Sequence, residues 1–375
     1  MIVPSKFDDI RPFEPEELPE VFDRLLGDQQ FRSVLSAVFP DMPLEVLETK
    51  IRGCKTNLEF QMQLCYGFLK QLLSRASNGY DINVNNIDTS GRYTFVSNHR
   101  DIVLDSALLD VMLIENGFTT TCEIAIGDNL LAAPWIKDLV RVNKSFIVKR
   151  SAVMREMLMN SKTMSEYMHF VIREKHDNIW IAQREGRAKD SDDRTQESIL
   201  KMMAMGGEGT IIDRLKQLNI VPVAISYEYD PCDYLKAAEF QLKRDVDGWK
   251  KSKADDVMSM KTGIMGYKGA IHYNCAPCIN DFLDSLAPET PNADLFTMIA
   301  KHIDSEIHRH YRLYHTNERA VELMRDTSLS TDPFDQYIIG QLKKIDIPQK
   351  DDKFLIERML TMYANPAINK LMVTT

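Results

Sequence analysis

The chain predicts an α/β fold, a central mixed sheet covered by helices, with helical segments before and after it. Three observations carry this expectation. Between residues 93 and 280, short β-branched or apolar runs alternate with helical stretches, the pattern of a sheet flanked by helices. Outside that stretch, apolar residues recur at three and four positions. A chain of 375 residues with 44% hydrophobic content is long enough to bury a sizeable core.

From Glu16 to about Arg75 the spacing is helical. Leu18, Val21, Phe22, Leu25 and Leu26 share one face, and the 58–73 stretch repeats that period with only Gly67 as a weak point. Residues 1–85 therefore read as a helical N-terminal region. Asn78-Gly79 and the polar run up to Gly91 read residues 76–92 as a linker or turn. Strands are expected at 93–96, 121–126, 145–148, 178–182, 221–226 and 270–273, which places the α/β domain at 86–285. Beyond it, Leu295, Ile299, Ile303 and Ile307 mark a helix, and 337–343 and 354–363 two more, separated by Pro348. The region 286–375 is expected to be helical.

Composition narrows the function. A formal net charge of −9 argues against general nucleic-acid binding, so an anionic substrate must be met by a local basic cluster. No run of roughly 18 apolar residues appears, and Met1 to Asp9 lacks the basic start and apolar core of a secretion signal, so a cytoplasmic protein is expected. Six scattered cysteines imply reduced thiols. Cys275-Ala276-Pro277-Cys278 has no second pair to complete a metal site, and no metal is expected. His302, His308, His310 and His315 are expected at the surface. The methionine-rich stretches 154–168, 202–205 and 258–265 are expected in the core, although their flexible thioethers would also suit an acyl groove.

Chemistry concentrates in four blocks at the ends of successive strands, where α/β proteins place their ligands. The first is Asn98-His99-Arg100-Asp101-Ile102-Val103-Leu104-Asp105, a histidine leaving a strand with carboxylates behind it, which are the parts of a general base and its orienter. By itself it is equally an ordinary helix entry, with Asp near the first turn. The second is Gly127-Asp128-Asn129-Leu130. The third, ending in Lys149-Arg150-Ser151, delivers two cations that suit a phosphate. In the fourth, Gln183-Arg184-Glu185-Gly186-Arg187, Gly186 permits a tight turn, Glu185 can hold a cation or hydroxyl, and Arg187 is a further phosphate candidate.

These blocks in this order, followed by the 220–228 strand with its Val221-Pro222-Val223, resemble the glycerolipid acyltransferase superfamily over roughly residues 90–280. The Gly127-x-Asn129-Leu130 form and Lys149-Arg150-Ser151 are more similar to the glycerol-3-phosphate branch than to the lysophosphatidate branch. One departure stands out. The family places four residues between its His and Asp, but that position is Leu104 here, and the nearest carboxylates are Asp101 and Asp105. If a helix began at His99, Asp105 would point about 240° around its axis, so pairing requires His99 to sit in the preceding loop or a bulge in the first turn. Asp105 is the expected partner, with Asp101 as the alternative and otherwise a helix cap.

The resemblance implies roles. His99 would deprotonate an acceptor hydroxyl, Asp105 would orient the imidazole, and Lys149, Arg150 and Arg187 would hold the acceptor's phosphate. Glu185 would orient an arginine or a hydroxyl, and Asn129 would sit in the same wall. The co-substrate would be an acyl-CoA or acyl carrier protein thioester, the acceptor a glycerolipid, and no cofactor is needed. The lipophilic product implies peripheral contact with the cytoplasmic membrane, through an apolar helical face in 58–75 or 354–372.

Overall fold

The computed structural model describes residues 3–131, 133–326 and 328–374. It contains one seven-stranded sheet: β1 (Tyr80–Asn83), β2 (Thr94–Ser97), β3 (Cys122–Gly127), β4 (Ser145–Val148), β5 (Asn178–Ala182), β6 (Ile220–Tyr227) and β7 (Ile271–Cys275), in the order β1-β7-β6-β2-β5-β3-β4. The block from β6 to β4 is parallel. β7 runs antiparallel to β6, and β1 is parallel to β7, so the sheet is mixed, as expected.

β1 corrects the reading of residues 76–92 as a linker. Four residues at a sheet edge, none of them fully buried, carry too little apolar alternation to stand out from a turn. β6 is the opposite case, buried along all eight residues despite Pro222. The carbonyl of Pro222 accepts from Ala276 N at 2.9 Å, on the side where β7 has ended. N–H and C=O of one strand residue face the same neighbour, so the missing donor removes no bond to β2.

Apolar residues cover both faces. On one, Leu69, Leu72 and Leu73 from the helix Tyr66–Ala76 and Leu108 and Leu109 from the helix Leu104–Glu115 pack against Phe95, Val221 and Ile225. On the other, Ile299, Ile303 and Ile307 from the helix Asn292–His310 meet Val96 and Ala224, together with Phe7 and Ile10. Each fully buried isoleucine there contributes about 1.5–3 kcal/mol by leaving water. Residues from both ends of the chain thus close the sheet's second face.

Two expectations about side-chain placement are corrected. His308 is buried, its Nε2 bonded to Asp193 O at 2.9 Å, because the last turn of its helix packs under the loop that follows β5. Only part of the methionine-rich sequence lies in the core. Met164, Met168, Met202 and Met203 are buried, while Met154, Met157, Met159, Met258 and Met265 are exposed. The helix Met154–Phe170 reaches the core only in its second half.

Candidate active site

β2 delivers the first block. At its exit the fully buried Asn98 side chain continues the ladder, donating from Nδ2 to Ile225 O at 2.9 Å and accepting from Ile225 N at 2.7 Å through Oδ1. This clamp fixes where the chain leaves the sheet. His99 follows in the loop before the helix Leu104–Glu115, its side chain 12% exposed, with the Trp180 ring edge-on at 5.6 Å between centroids. Trp180 is held in turn by its indole N–H donating to Ser97 Oγ at 3.0 Å.

Asp105 is the carboxylate behind His99. Its Oδ2 lies 2.8 Å from His99 Nδ1 and also accepts from Arg100 N at 2.6 Å and Asp101 N at 3.0 Å. Its Oδ1 accepts from the Tyr227 hydroxyl at 3.1 Å. The carboxylate is an acceptor, so Nδ1 carries the imidazole proton and Nε2 is left as the basic nitrogen. Nε2 makes no hydrogen bond among the described residues. Tyr273 donates to Asp105 O at 3.0 Å, tying the helix's first turn to β7. Burial first, and the Asp105 charge in addition, raise the phenols of Tyr227 and Tyr273 well above their usual range, which keeps both as donors.

Asp101 has a different task. Its Oδ1 accepts from Val103 N at 2.9 Å and Leu104 N at 2.8 Å, capping the turn that enters the helix. Because that turn is tight, Asp105 comes back to His99 although the two are six positions apart. Burial, and then the neighbouring Asp105, raise the Asp101 carboxyl, and Arg187 works against this. Gly263 on the helix Lys253–Met265 packs against Asp101 Oδ2, where any side chain at 263 would collide with it.

Two of the three candidate phosphate cations are paired with carboxylates, and the third is not. Lys149 Nζ is 3.0 Å from Asp9 Oδ2 on the N-terminal segment. Arg150 Nη1 is 2.8 Å from Glu185 Oε1, both side chains largely exposed. Arg150 also reaches Gly127, and Asn129 Oδ1 lies where a Cβ at 127 would sit, so Asn129, Arg150 and Glu185 share one wall. Gly186 turns the chain at φ +68°, a conformation that favours glycine. Arg187, beyond that turn, makes no ion pair among the described residues, and its buried Nη1 has no partner. Its charge works against the rise of the Asp101 carboxyl and helps to lower that of Asp230.

The Acyltransferase family model matches residues 81–226, a span that holds all four blocks. These residues form an acyltransferase domain. No curated protein matches the chain. Six solved chains match in structure. One is a 1-acyl-sn-glycerophosphate acyltransferase, PlsC, from Thermotoga maritima, 12% identical, covering 77% of this chain and 95% of its own, with a TM-score of 0.38.

Several residues of the candidate site were not singled out from sequence. Tyr227 lies in the 220–228 block but had no role assigned to it, and both it and Tyr273 lie more than 120 residues from Asp105, so nothing local links either to the carboxylate. Arg100 was hidden by its neighbours. It is buried, pairs with Asp193 Oδ2 at 2.6 Å, and lies over the Tyr311 ring at 5.7 Å. Arg184 also lacks an ion pair among the described residues, with Nε buried and unpartnered. Cys275 and Cys278 are free, and burial pushes their thiols up, Cys275 to about 12, so neither is an activated nucleophile.

Proposed function

We propose that the enzyme moves a fatty acyl group from an acyl-CoA or acyl carrier protein thioester to a hydroxyl of glycerol-3-phosphate or a lysophospholipid, in phospholipid biosynthesis. The observation that carries this reading is the 2.8 Å contact between His99 Nδ1 and Asp105 Oδ2 inside an acyltransferase domain. His99 Nε2 takes the proton of the acceptor hydroxyl as its oxygen attacks the thioester carbonyl carbon. The C–S bond then breaks, the acyl group passes to the acceptor oxygen, and the imidazolium returns its proton to the departing thiolate. General-base assistance of this kind supplies about 10²–10⁴ in rate, and positioning two substrates supplies more.

Arg187 is the cation best suited to the acceptor's phosphate, since its guanidinium has no carboxylate to leave. Asn129, Arg150, Glu185 and Gly186 form the adjoining wall. That Lys149 and Arg150 are already engaged by Asp9 and Glu185 favours a second reading, O-acylation of a non-phosphate acceptor such as an amino-acid lipid.

Membrane contact in this reading is peripheral and on the cytoplasmic side. No helix among the described residues is long and apolar enough to cross a membrane. Both stretches expected to touch it turn apolar faces inward: Leu69, Leu72 and Leu73 in one, Leu355, Met359 and Met362 in the other. The exposed Val153, Met154, Met157 and Leu158 suit the task better. They lie just after Arg150, at i, i+1, i+4 and i+5, with Arg155 and Lys162 alongside.

The deciding experiment offers acyl-CoA and acyl carrier protein thioesters with glycerol-3-phosphate, a lysophospholipid and a lyso-amino-lipid, beside His99→Ala. Acceptor-dependent thiol release by the native protein and not by the variant is expected. Equal release by both overturns the assigned base, and turnover confined to the lyso-amino-lipid overturns the phosphate acceptor.

A further inference from the structure

A polar cleft opens at the β1–β7 edge of the sheet. In the parallel register Asp81 faces His272 and Asn83 faces Asn274, so the four side chains fall on one face. The end of the helix Asn292–His310, the 311–313 turn and Lys370 of the helix Asp352–Thr374 border an open cavity of about 640 Å³ above them. That volume is within the range of small-molecule sites, about 300–1,000 Å³.

Its charge is opposite to that of the protein. The chain carries a formal −9, yet Arg309, Arg312 and Lys370 line this cavity against a single carboxylate, Asp81, with His272 and His310 beside them. Asp81 is shared between His272 Nδ1 at 2.9 Å and Arg312 Nη1 at 3.0 Å. Arg309 is partly neutralised by Glu306, and the carbonyl end of its helix disfavours an anion. Arg312, which shares Asp81, and Lys370, whose Nζ donates to Tyr311 O at 2.6 Å and meets no carboxylate, together outnumber Asp81. A concave positive patch in an acidic protein concentrates anions. Asn274, which lines the same space, has its Oδ1 buried with no partner.

We infer that this cavity binds a phosphate ester that also carries a hydroxyl or amino group, the phosphate meeting Arg312 and Lys370 and the donor meeting Asn274 Oδ1. The site is distinct from the acyl-transfer centre and does not rest on that reading. A chain of contacts joins the two: Tyr311 lines the cavity and donates to Asp193 Oδ2 at 2.6 Å, and Asp193 pairs with Arg100 beside His99.

Two ligand sources share this chemistry, a nucleotide and a sugar phosphate. Calorimetric titration of the full chain with adenosine 3′,5′-bisphosphate and with ribose 5-phosphate, without acyl donor or acceptor, tests the site. At least one probe is expected to bind, at least tenfold more weakly in Arg312→Gln and several-fold more tightly in Asp81→Asn, where the competing carboxylate is gone. The tighter probe identifies the source. A gain of affinity in Asp81→Asn cannot come from misfolding. Binding that is unchanged in both variants, binding lost in Arg187→Gln instead of Arg312→Gln, or no binding of either probe overturns the inference.

Discussion

Asp105 Oδ2 accepts from His99 Nδ1 at 2.8 Å and from two backbone N–H groups of the loop between them. The carboxylate that orients the imidazole therefore also shapes the loop that presents it. Asp105→Asn removes the charge that stabilises the imidazolium, and its amide N–H group must face either the Tyr227 hydroxyl or His99 Nδ1, the latter reversing the Nδ1–H tautomer. Turnover is expected to fall about 10²–10⁴-fold with little change in acceptor KM. Asp101→Asn should cost less in turnover, because Asp101 caps backbone N–H groups and does not touch His99. If Asp101→Asn loses more activity than Asp105→Asn, the assignment is reversed.

Tyr227→Phe removes one neutral donor from Asp105 Oδ1 and leaves the ring in place. A hydrogen bond of this kind contributes about 0.5–1.5 kcal/mol, so kcat should drop roughly threefold to tenfold. Steady-state kinetics beside Asp105→Asn checks the ranking, and a Tyr227→Phe defect as large as that of Asp105→Asn would contradict a supporting role.

Arg187→Gln should raise KM for a phosphate-bearing acceptor about tenfold or more, as expected for a charge-assisted pair of about 1.5–3 kcal/mol. Lys149→Gln, which loses only an exposed pair with Asp9, should change it less than threefold. Comparable effects would move the phosphate away from Arg187.

Lys268 gives a pH dependence that can be measured without any substrate. Its side chain is fully buried, Nζ donates to Ile264 O at 3.0 Å and Gly266 O at 2.6 Å, and burial lowers its pKa from 10.5 to about 8. Below pH 8 the lysine is protonated in both folded and unfolded chains. Between pH 8 and 10.5 the unfolded chain holds the proton more tightly, so this group makes stability rise with pH, by at most about 3 kcal/mol. Denaturant midpoints for native protein and Lys268→Met across that window should diverge as pH increases. Parallel curves would contradict the depressed pKa.

Much of the architecture was legible because local pattern and global fold agree. Runs such as 145–148 and 178–182 became strands at those bounds, and Ile299, Ile303 and Ile307 fell on one buried helix face as their spacing required. β1 was not legible, since Tyr80–Asn83 gains strand character only from its pairing with β7, 191 residues later. The inner half of the Met154–Phe170 helix is core and the outer half is not, although both halves are rich in methionine. Composition does not say which turn reaches the sheet.

Sequence alone determined that a histidine leaves a strand with two aspartates close behind it, and that glycine- and arginine-bearing turns follow in a fixed order. Tertiary structure decided which aspartate serves it. An unbroken helix from His99 would have turned Asp105 away. The Asp101 cap delays the helix to Leu104, the Asn98 clamp to Ile225 fixes the strand exit, and Tyr227 and Tyr273 hold Asp105 from distant strands. Tertiary structure also paired Lys149 with Asp9 and Arg150 with Glu185 while leaving Arg187 without an ion pair among the described residues, because cations on a strand end and on a separate turn can leave the backbone in different directions.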